Sequence, residues 1–113
     1  MTEQDDKIGA EILDELYTLI EGRKCADPET SYTARLFGGG REEIAGKVTE
    51  EAAETVFAAL NETPDRLASE SADVLFHLLV LWADAGITPA DVWAELAKRR
   101  GTSGIDEKRS RPS

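Results

Sequence analysis

The sequence is poor in the residues on which several classes of protein depend. Its single cysteine, Cys25, can form neither an intramolecular disulfide nor a cysteine-based zinc site. No apolar run approaches the roughly 18 residues that a membrane-spanning helix needs. The first six residues are acidic and polar, without the basic and apolar regions of a secretory signal. We therefore expect a cytoplasmic protein that does not associate with a membrane.

Positive charge is also scarce, since the sequence has 13 Lys and Arg residues but 23 Asp and Glu residues, and its formal net charge is −10. Basic surface supplies most of the non-specific affinity for nucleic acid, so the balance argues against DNA or RNA as a partner. The charge is unevenly distributed: from Lys98 onward six basic and two acidic residues give +4, which leaves −14 for the rest. This asymmetry fits either an acidic metal site beside a basic segment that meets phosphate, or a solvated basic tail.

The pattern predicts an all-α fold, because no segment alternates with a period of two for long enough to indicate a strand. Thr63-Pro64 and Thr88-Pro89 each offer a capping hydroxyl followed by proline at the first helical position. The predicted helices cover residues 7–21, 41–61, 64–85 and 89–100, with a short extra turn from Thr33 to Phe37. The predicted organisation is a flexible N-terminus (1–6), one helical domain (7–100) and a basic segment with glycine and serine (101–113).

Two apolar segments carry predictions about burial. The first helix has a stripe at helical spacing that we expect in the core: Ile8, Ile12, Leu16, Leu19 and Ile20. The run from Val74 to Trp82 is apolar nearly all round, and it is broader than a small bundle readily covers. It therefore predicts a homodimer or larger assembly with C2 symmetry. Gly38 to Gly40 is interpreted as a hinge, because the other features of a phosphate-binding loop are missing.

Four carboxylates form two matched pairs on the second and third long helices. Glu51 with Glu54, and Glu70 with Asp73, stand three residues apart, so each pair faces one way. If the helices pack antiparallel, the pairs converge into a cluster of oxygen ligands suited to a hard cation such as Mg²⁺. That points to phosphate chemistry. The alternative is the solvated acidic face of an ordinary amphipathic helix.

Lys47 and His77 each have two interpretations. Lys47 lies one turn before Glu51, so it could reach a phosphate or form a surface ion pair with Glu50 or Glu51. His77 lies one turn beyond Asp73. It is either a core histidine bonded to a carboxylate or a backbone carbonyl, which we favour, or a group that contacts the ligand.

These residues resemble a known family. The segment from Lys47 to Glu54 and the segment Glu70-Ser71-Ala72-Asp73 resemble the EExxE and ExxD signature of the all-α nucleoside triphosphate pyrophosphohydrolases related to MazG. Residues 31–36, Phe76-His77 and residues 101–108 are similar, more narrowly, to the phosphoribosyl-ATP pyrophosphatase family. The resemblance covers roughly residues 11–109. It implies a MazG-like bundle of four to five helices, completed by oligomerisation.

The resemblance also implies an enzyme. Its expected reaction is Mg²⁺-dependent hydrolysis of the α,β-phosphoanhydride of phosphoribosyl-ATP to phosphoribosyl-AMP and pyrophosphate, the second step of histidine biosynthesis. The implied Mg²⁺ ligands are Glu51, Glu54, Glu70 and Asp73, and Glu50 would support them or orient water, so that Glu50, Glu51 and Glu54 are the catalytic acids. The implied substrate contacts are Lys47, Tyr32, Arg35, His77, Ser103, Lys108 and Arg109.

Small departures from the family pattern bear only on details of substrate contact. Asp106 stands where the family more often has Glu, Phe76 where Tyr is common, and Gly46 where a polar residue often precedes the lysine. Two alternatives stay open: a house-cleaning nucleoside triphosphate pyrophosphohydrolase with the same metal site, and a non-catalytic helical interaction module. The basic end and residues 31–36 argue against the first. Saturable stabilisation by Mg²⁺ would separate the second from both enzymes.

Overall fold

The computed structural model describes residues 8–101, and within that range it contains five α-helices and no strand. The all-α prediction is therefore confirmed. The helices are α1 (Glu11–Glu21), α2 (Tyr32–Gly39), α3 (Arg41–Asn61), α4 (Pro64–Ala85) and α5 (Pro89–Ala97). The expected flexible N-terminus lies outside the described residues, as does the basic segment beyond Gly101 with its candidate substrate contacts Ser103, Lys108 and Arg109.

The bounds of α3 and α4 agree with the prediction, and the expected caps are present. The hydroxyl oxygens of Thr63 and Thr88 accept hydrogen bonds from backbone N–H groups in the first turns of α4 and α5. The Thr88 cap is reciprocal, since the Asp91 carboxylate accepts from the Thr88 N–H. The start of α1 at Glu11 and the end of α5 at Ala97 differ from the predicted 7 and 100. A run of turns follows Ala97.

The segment before α3 differs from the prediction. The expected short turn is an eight-residue helix, α2, and the hydroxyl of Ser31 caps its start by accepting from the Ala34 N–H at 3.1 Å. Gly38 and Gly39 belong to this helix, so the interpretation of all three glycines as a hinge is wrong. Gly40 alone makes the bend into α3, with a φ of 90° that favours glycine.

The antiparallel packing of α3 on α4 forms the centre of the fold. Ile44 on α3 and Leu79 and Val80 on α4 are the largest fully buried side chains. Ile20, Leu36 and Ala83 complete the buried core cluster. Where α3 begins beside the end of α4, Arg41 donates to the Asp84 carboxylate at 2.9 Å and to the Asp84 carbonyl at 3.1 Å. These contacts fix the start of α3 against the end of α4.

The predicted core stripe of α1 is right for two of its five residues. Leu16 and Ile20 pack on the core, whereas Ile8, Ile12 and Leu19 are 67%, 38% and 57% exposed. Leu13 and Tyr17, which the prediction did not include, pack there as well. Leu13, Leu16, Tyr17 and Ile20 also have helical spacing, so α1 carries two overlapping apolar stripes. The periodicity alone could not show which one faces α4.

The apolar surface that one chain leaves uncovered is also distributed differently from the prediction. Much of the Val74 to Trp82 run is covered within the chain, although Leu75 remains 44% exposed. The larger exposure is on α3, where Val56 (58%), Phe57 (57%) and Leu60 (77%) lie side by side. We call these three residues the α3 apolar patch.

Helix α5 packs beside the end of α4. Trp82 and Trp93 meet edge to face with ring centroids 6.1 Å apart, so both act as packing residues. Among residues 8–101 no single helix has the length and apolarity to cross a membrane. Helices α4 and α5 pass that test together, although they are bent by 109°.

A pair of glycine substitutions tests the α4 terminus. Gly86 ends α4 with a φ of 77°, and a Cβ built there meets no atom within 4 Å. Gly86→Ala should therefore cost only the left-handed backbone strain, about 1–2 kcal/mol, and lower the melting temperature. Gly46→Ala, in mid-α3 with equally open space, should instead stabilise by about 0.5–1 kcal/mol. Equal effects in urea denaturation would contradict this assignment of the cap.

Candidate active site

Carboxylates from α3 and α4 converge on one side of the helix pair. Glu51, Glu70 and Asp73 each bring an oxygen to within 4.8 Å of the other two, and so do Glu50, Glu51 and Glu54. Glu51 belongs to both groups. The four predicted ligands therefore fall in two trios that share Glu51. Glu50, which was not among the four, joins Glu51 and Glu54 in one of them and is a further possible ligand. We call these five residues the carboxylate cluster.

The cluster is partly shielded from water. Glu70 is only 6% exposed. Glu51 is half-buried, and its Oε2 is the one buried side-chain oxygen in the described part of the chain without a hydrogen-bond partner. Burial raises the pKa of the Glu51 carboxyl, and the nearby Glu54 and Asp73 carboxylates raise it further. Burial also raises the pKa of Glu70, with Glu54 adding to the effect and Arg66 opposing it.

These observations fit a divalent cation. A buried carboxylate oxygen without a hydrogen bond is costly unless the group is protonated or bound to a positive charge. The ligand set is made entirely of carboxylates, which suits a hard cation rather than a metal that prefers sulfur or imidazole. Glu51, Glu70 and the exposed Asp73 could hold such an ion. Glu54, also expected as a ligand, lies in the other trio with Glu50 and Glu51.

His77 lies behind the cluster and is 5% exposed. Its Nδ1 is 2.8 Å from the Asp73 carbonyl oxygen, which can only accept, so Nδ1 carries a hydrogen and donates. Its Nε2 is 2.9 Å from the Tyr32 hydroxyl, and in the neutral ring this nitrogen accepts from that hydroxyl. His77 is therefore a core histidine bonded to a backbone carbonyl, as the sequence favoured. Its ring links Tyr32 of α2 to the backbone of Asp73.

The two candidate substrate cations within the described residues, Lys47 and Arg35, lie in different places. The Nζ of Lys47 is 3.4 Å from Glu50 Oε1, at the edge of the cluster, and the Glu50 carboxylate raises the pKa of Lys47. The surface ion pair is therefore present. Arg35 instead donates through Nε and Nη2 to the Pro28 carbonyl, at 3.3 and 3.2 Å. Its guanidinium braces the loop before α2 and is not brought to the carboxylates.

Arg66 was missed by the sequence reasoning. Its Nη2 is 2.7 Å from Glu70 Oε2, and its Nε is 3.8 Å from Glu62 Oε1. The signal was available, because Glu62, Arg66 and Glu70 follow one another at intervals of four residues, which aligns them on one helix face. Arg66 also lines a pocket of about 300 Å³ beside the cluster. The other lining residues are Ala53, Glu54, Phe57, Glu62 and Glu70.

Comparison with known sequences assigns this chain to a family. Residues 13–100 match the family described as phosphoribosyl-ATP pyrophosphohydrolase. A protein named phosphoribosyl-ATP pyrophosphatase from Paramagnetospirillum magneticum is 66% identical over 108 residues, covering 96% of this chain and 95% of the relative. Proteins of the same name from Azospirillum brasilense and Rhodospirillum rubrum are 60% and 61% identical, covering 96% and 91% of this chain and 98% and 88% of their own lengths. The chain therefore belongs to the phosphoribosyl-ATP pyrophosphohydrolase family.

Proposed function

We propose that this protein is a Mg²⁺-dependent enzyme that hydrolyses phosphoribosyl-ATP to phosphoribosyl-AMP and pyrophosphate, in histidine biosynthesis in the cytoplasm. The observation that carries the proposal is the position of Glu51, shared by two carboxylate trios and holding a buried oxygen without a hydrogen bond. Family membership and the names of the relatives supply the substrate. The family match also disfavours the house-cleaning enzyme and the non-catalytic module.

The residues divide into two roles. Glu51, Glu70 and Asp73 hold the ion, and the antiparallel helix pair fixes their positions before any ligand arrives. A bound Mg²⁺ supplies positive charge that neutralises phosphate oxygens and activates water for attack. Glu50 and Glu54 belong to the other trio beside Glu51 and are exposed to solvent, so they are placed to orient that water and to accept its proton.

Further residues are proposed to contact the substrate. Lys47 stands one turn from Glu51 and could leave Glu50 for a phosphate, because an exposed ion pair of this kind is weak. Tyr32 is 47% exposed beside His77, so its ring can contact a ligand while His77 positions it. Ser103, Lys108 and Arg109 are proposed as donors and charges for the phosphoribosyl part of the substrate.

The first functional test compares Glu51→Gln with Glu42→Gln. Glu51→Gln should lower kcat for phosphoribosyl-ATP by about 100-fold or more, since a misplaced metal removes several kcal/mol of transition-state stabilisation. Glu42 is an exposed residue in the first turn of the same helix, and its variant should keep normal activity. Pyrophosphate release is measured for phosphoribosyl-ATP and for a panel of nucleoside triphosphates. Faster wild-type hydrolysis of the ordinary triphosphates would favour the house-cleaning enzyme.

A second test uses thermal stability with and without Mg²⁺. A raised carboxyl pKa in the folded state means that folding binds protons, so the stability contributed by Glu51 falls as pH rises above its unfolded pKa. At pH 8 in EDTA, Glu51→Gln should therefore melt at a higher temperature than the wild type. Mg²⁺ at about 100 times its Kd should stabilise the wild type by about 2.7 kcal/mol and the variant much less. Equal stabilisation of both would place the ion elsewhere.

We also propose a homodimer. The α3 apolar patch presents three large side chains on one helix face, each more than half exposed. A second copy related by a two-fold axis would lay the same patch against itself, which is how isologous interfaces form. Phe57 belongs to both the patch and the pocket beside the carboxylate cluster, so the partner would lie next to the active site.

Sedimentation velocity tests the dimer with matched charge insertions. Leu60→Glu should convert a dimer to a monomer at micromolar concentration, because it would bury an unpaired carboxylate in the interface. Leu19→Glu, on the exposed face of α1 at 57% exposure, should leave the dimer intact. A wild-type monomer, or an equal response of both variants, would refute the interface.

A further inference from the structure

Arg66 is the one cation within hydrogen-bond distance of the buried carboxylate of Glu70 in the described range. The pair is asymmetric, since the Glu70 side chain is 7% exposed and that of Arg66 is 53% exposed. Glu70 is fixed by its surroundings, whereas the guanidinium reaches it from the solvent side. Its second carboxylate neighbour, Glu62, is 3.8 Å away and exposed.

Glu70 is also a member of the trio proposed to hold Mg²⁺. Arg66 and a divalent cation would therefore both compensate the charge of the same carboxylate. Two positive charges a few ångströms apart repel each other, most strongly where water is partly excluded. A cation held by Glu51, Glu70 and Asp73 weakens the hold of Glu70 on Arg66 and favours an anion beside the guanidinium.

The pocket next to Arg66 has room for such an anion. It measures about 300 Å³ and is bounded by Ala53 and Phe57 on an apolar side, with three carboxylates and the guanidinium on the polar side. The carboxylates exclude a phosphate until positive charge offsets them. A guanidinium then matches phosphate oxygens well, because its planar fork donates two parallel hydrogen bonds.

We infer that Arg66 binds a phosphate group of the nucleotide, and that it exchanges Glu70 for this phosphate when the divalent cation occupies the carboxylate cluster. The inference rests on the proposed function for the class of ligand, a nucleotide that releases pyrophosphate. Arg66 is thus a substrate-binding residue whose availability depends on the metal. The order of binding follows: cation first, then phosphate.

The experiment uses calorimetry on the full chain with Mg²⁺ alone, and then with inorganic pyrophosphate at saturating Mg²⁺. Arg66→Gln should weaken pyrophosphate binding at least tenfold, the lower end expected for a lost charged hydrogen bond. It should leave Mg²⁺ affinity unchanged or tighter, since a competing counter-ion is gone. Arg66→Lys, which keeps the charge without the fork, should recover part of the pyrophosphate affinity. Arg23→Gln makes the same chemical change at an exposed position after α1 and should alter neither affinity.

Two results would overturn the inference. Unchanged pyrophosphate affinity in Arg66→Gln would make the arginine a surface ion pair. Mg²⁺ affinity weakened as much as pyrophosphate affinity would mean that Arg66 acts only by positioning Glu70. These outcomes are distinct from a failure of the proposed function, because the ligand in the experiment is pyrophosphate itself. If the wild type did not hydrolyse phosphoribosyl-ATP, the proposed substrate would be wrong, but the comparison of pyrophosphate affinities would still hold.

Discussion

The crowding of like charges between α3 and α4 is the constraint on which the site depends. The buried contacts of Ile44 with the α4 core and the Arg41–Asp84 ion pair hold the helices antiparallel. That packing brings Glu51 against Glu70 and Asp73, although the carboxylates repel one another. The apolar core supplies the free energy that keeps the acids together, and a cation bound among them would relieve their repulsion.

The donor side chains around the cluster have partners other than Glu51. Lys47 pairs with Glu50, Arg66 pairs with Glu70, and His77 donates to the backbone of Asp73. Within the described range none of them donates a hydrogen bond to Glu51 Oε2. The fold thus provides partners for Glu50 and Glu70 and none for Glu51 Oε2, the atom that a metal would use under the proposed function. With such a metal in place, Lys47 and Arg66 would be able to move to the substrate.

The sequence predicted the parts of this structure that local chemistry determines. Thr63-Pro64 set the start of α4, and the i,i+3 spacing put Glu70 and Asp73 on one face. It failed where long-range packing decides between similar patterns. On α1 two apolar stripes compete, and only contact with α4 selects Leu13 and Tyr17 over Ile12 and Leu19.

The site shows the same division. Spacing along one helix grouped the acids correctly, but the sharing of Glu51 by two trios depends on the distance between helices. The family likeness suggested Arg35 for the substrate, and no local pattern indicated its hydrogen bond to the Pro28 carbonyl. Arg66 carried a visible i,i+4 signal with Glu70. The sequence could not show that Glu70 is buried, and this burial distinguishes the Arg66–Glu70 pair from ordinary surface ion pairs.

The most direct test of the central claim is to locate the cation. Mn²⁺ takes the same oxygen ligands as Mg²⁺ and scatters X-rays anomalously, so crystals grown with Mn²⁺ would reveal its position. We expect an anomalous peak bounded by the carboxylates of Glu51, Glu70 and Asp73, with Glu51 Oε2 as a ligand. A peak elsewhere on the chain, or a fully bound Mn²⁺ that leaves Glu51 uncoordinated, would contradict the assignment of this cluster as the metal site.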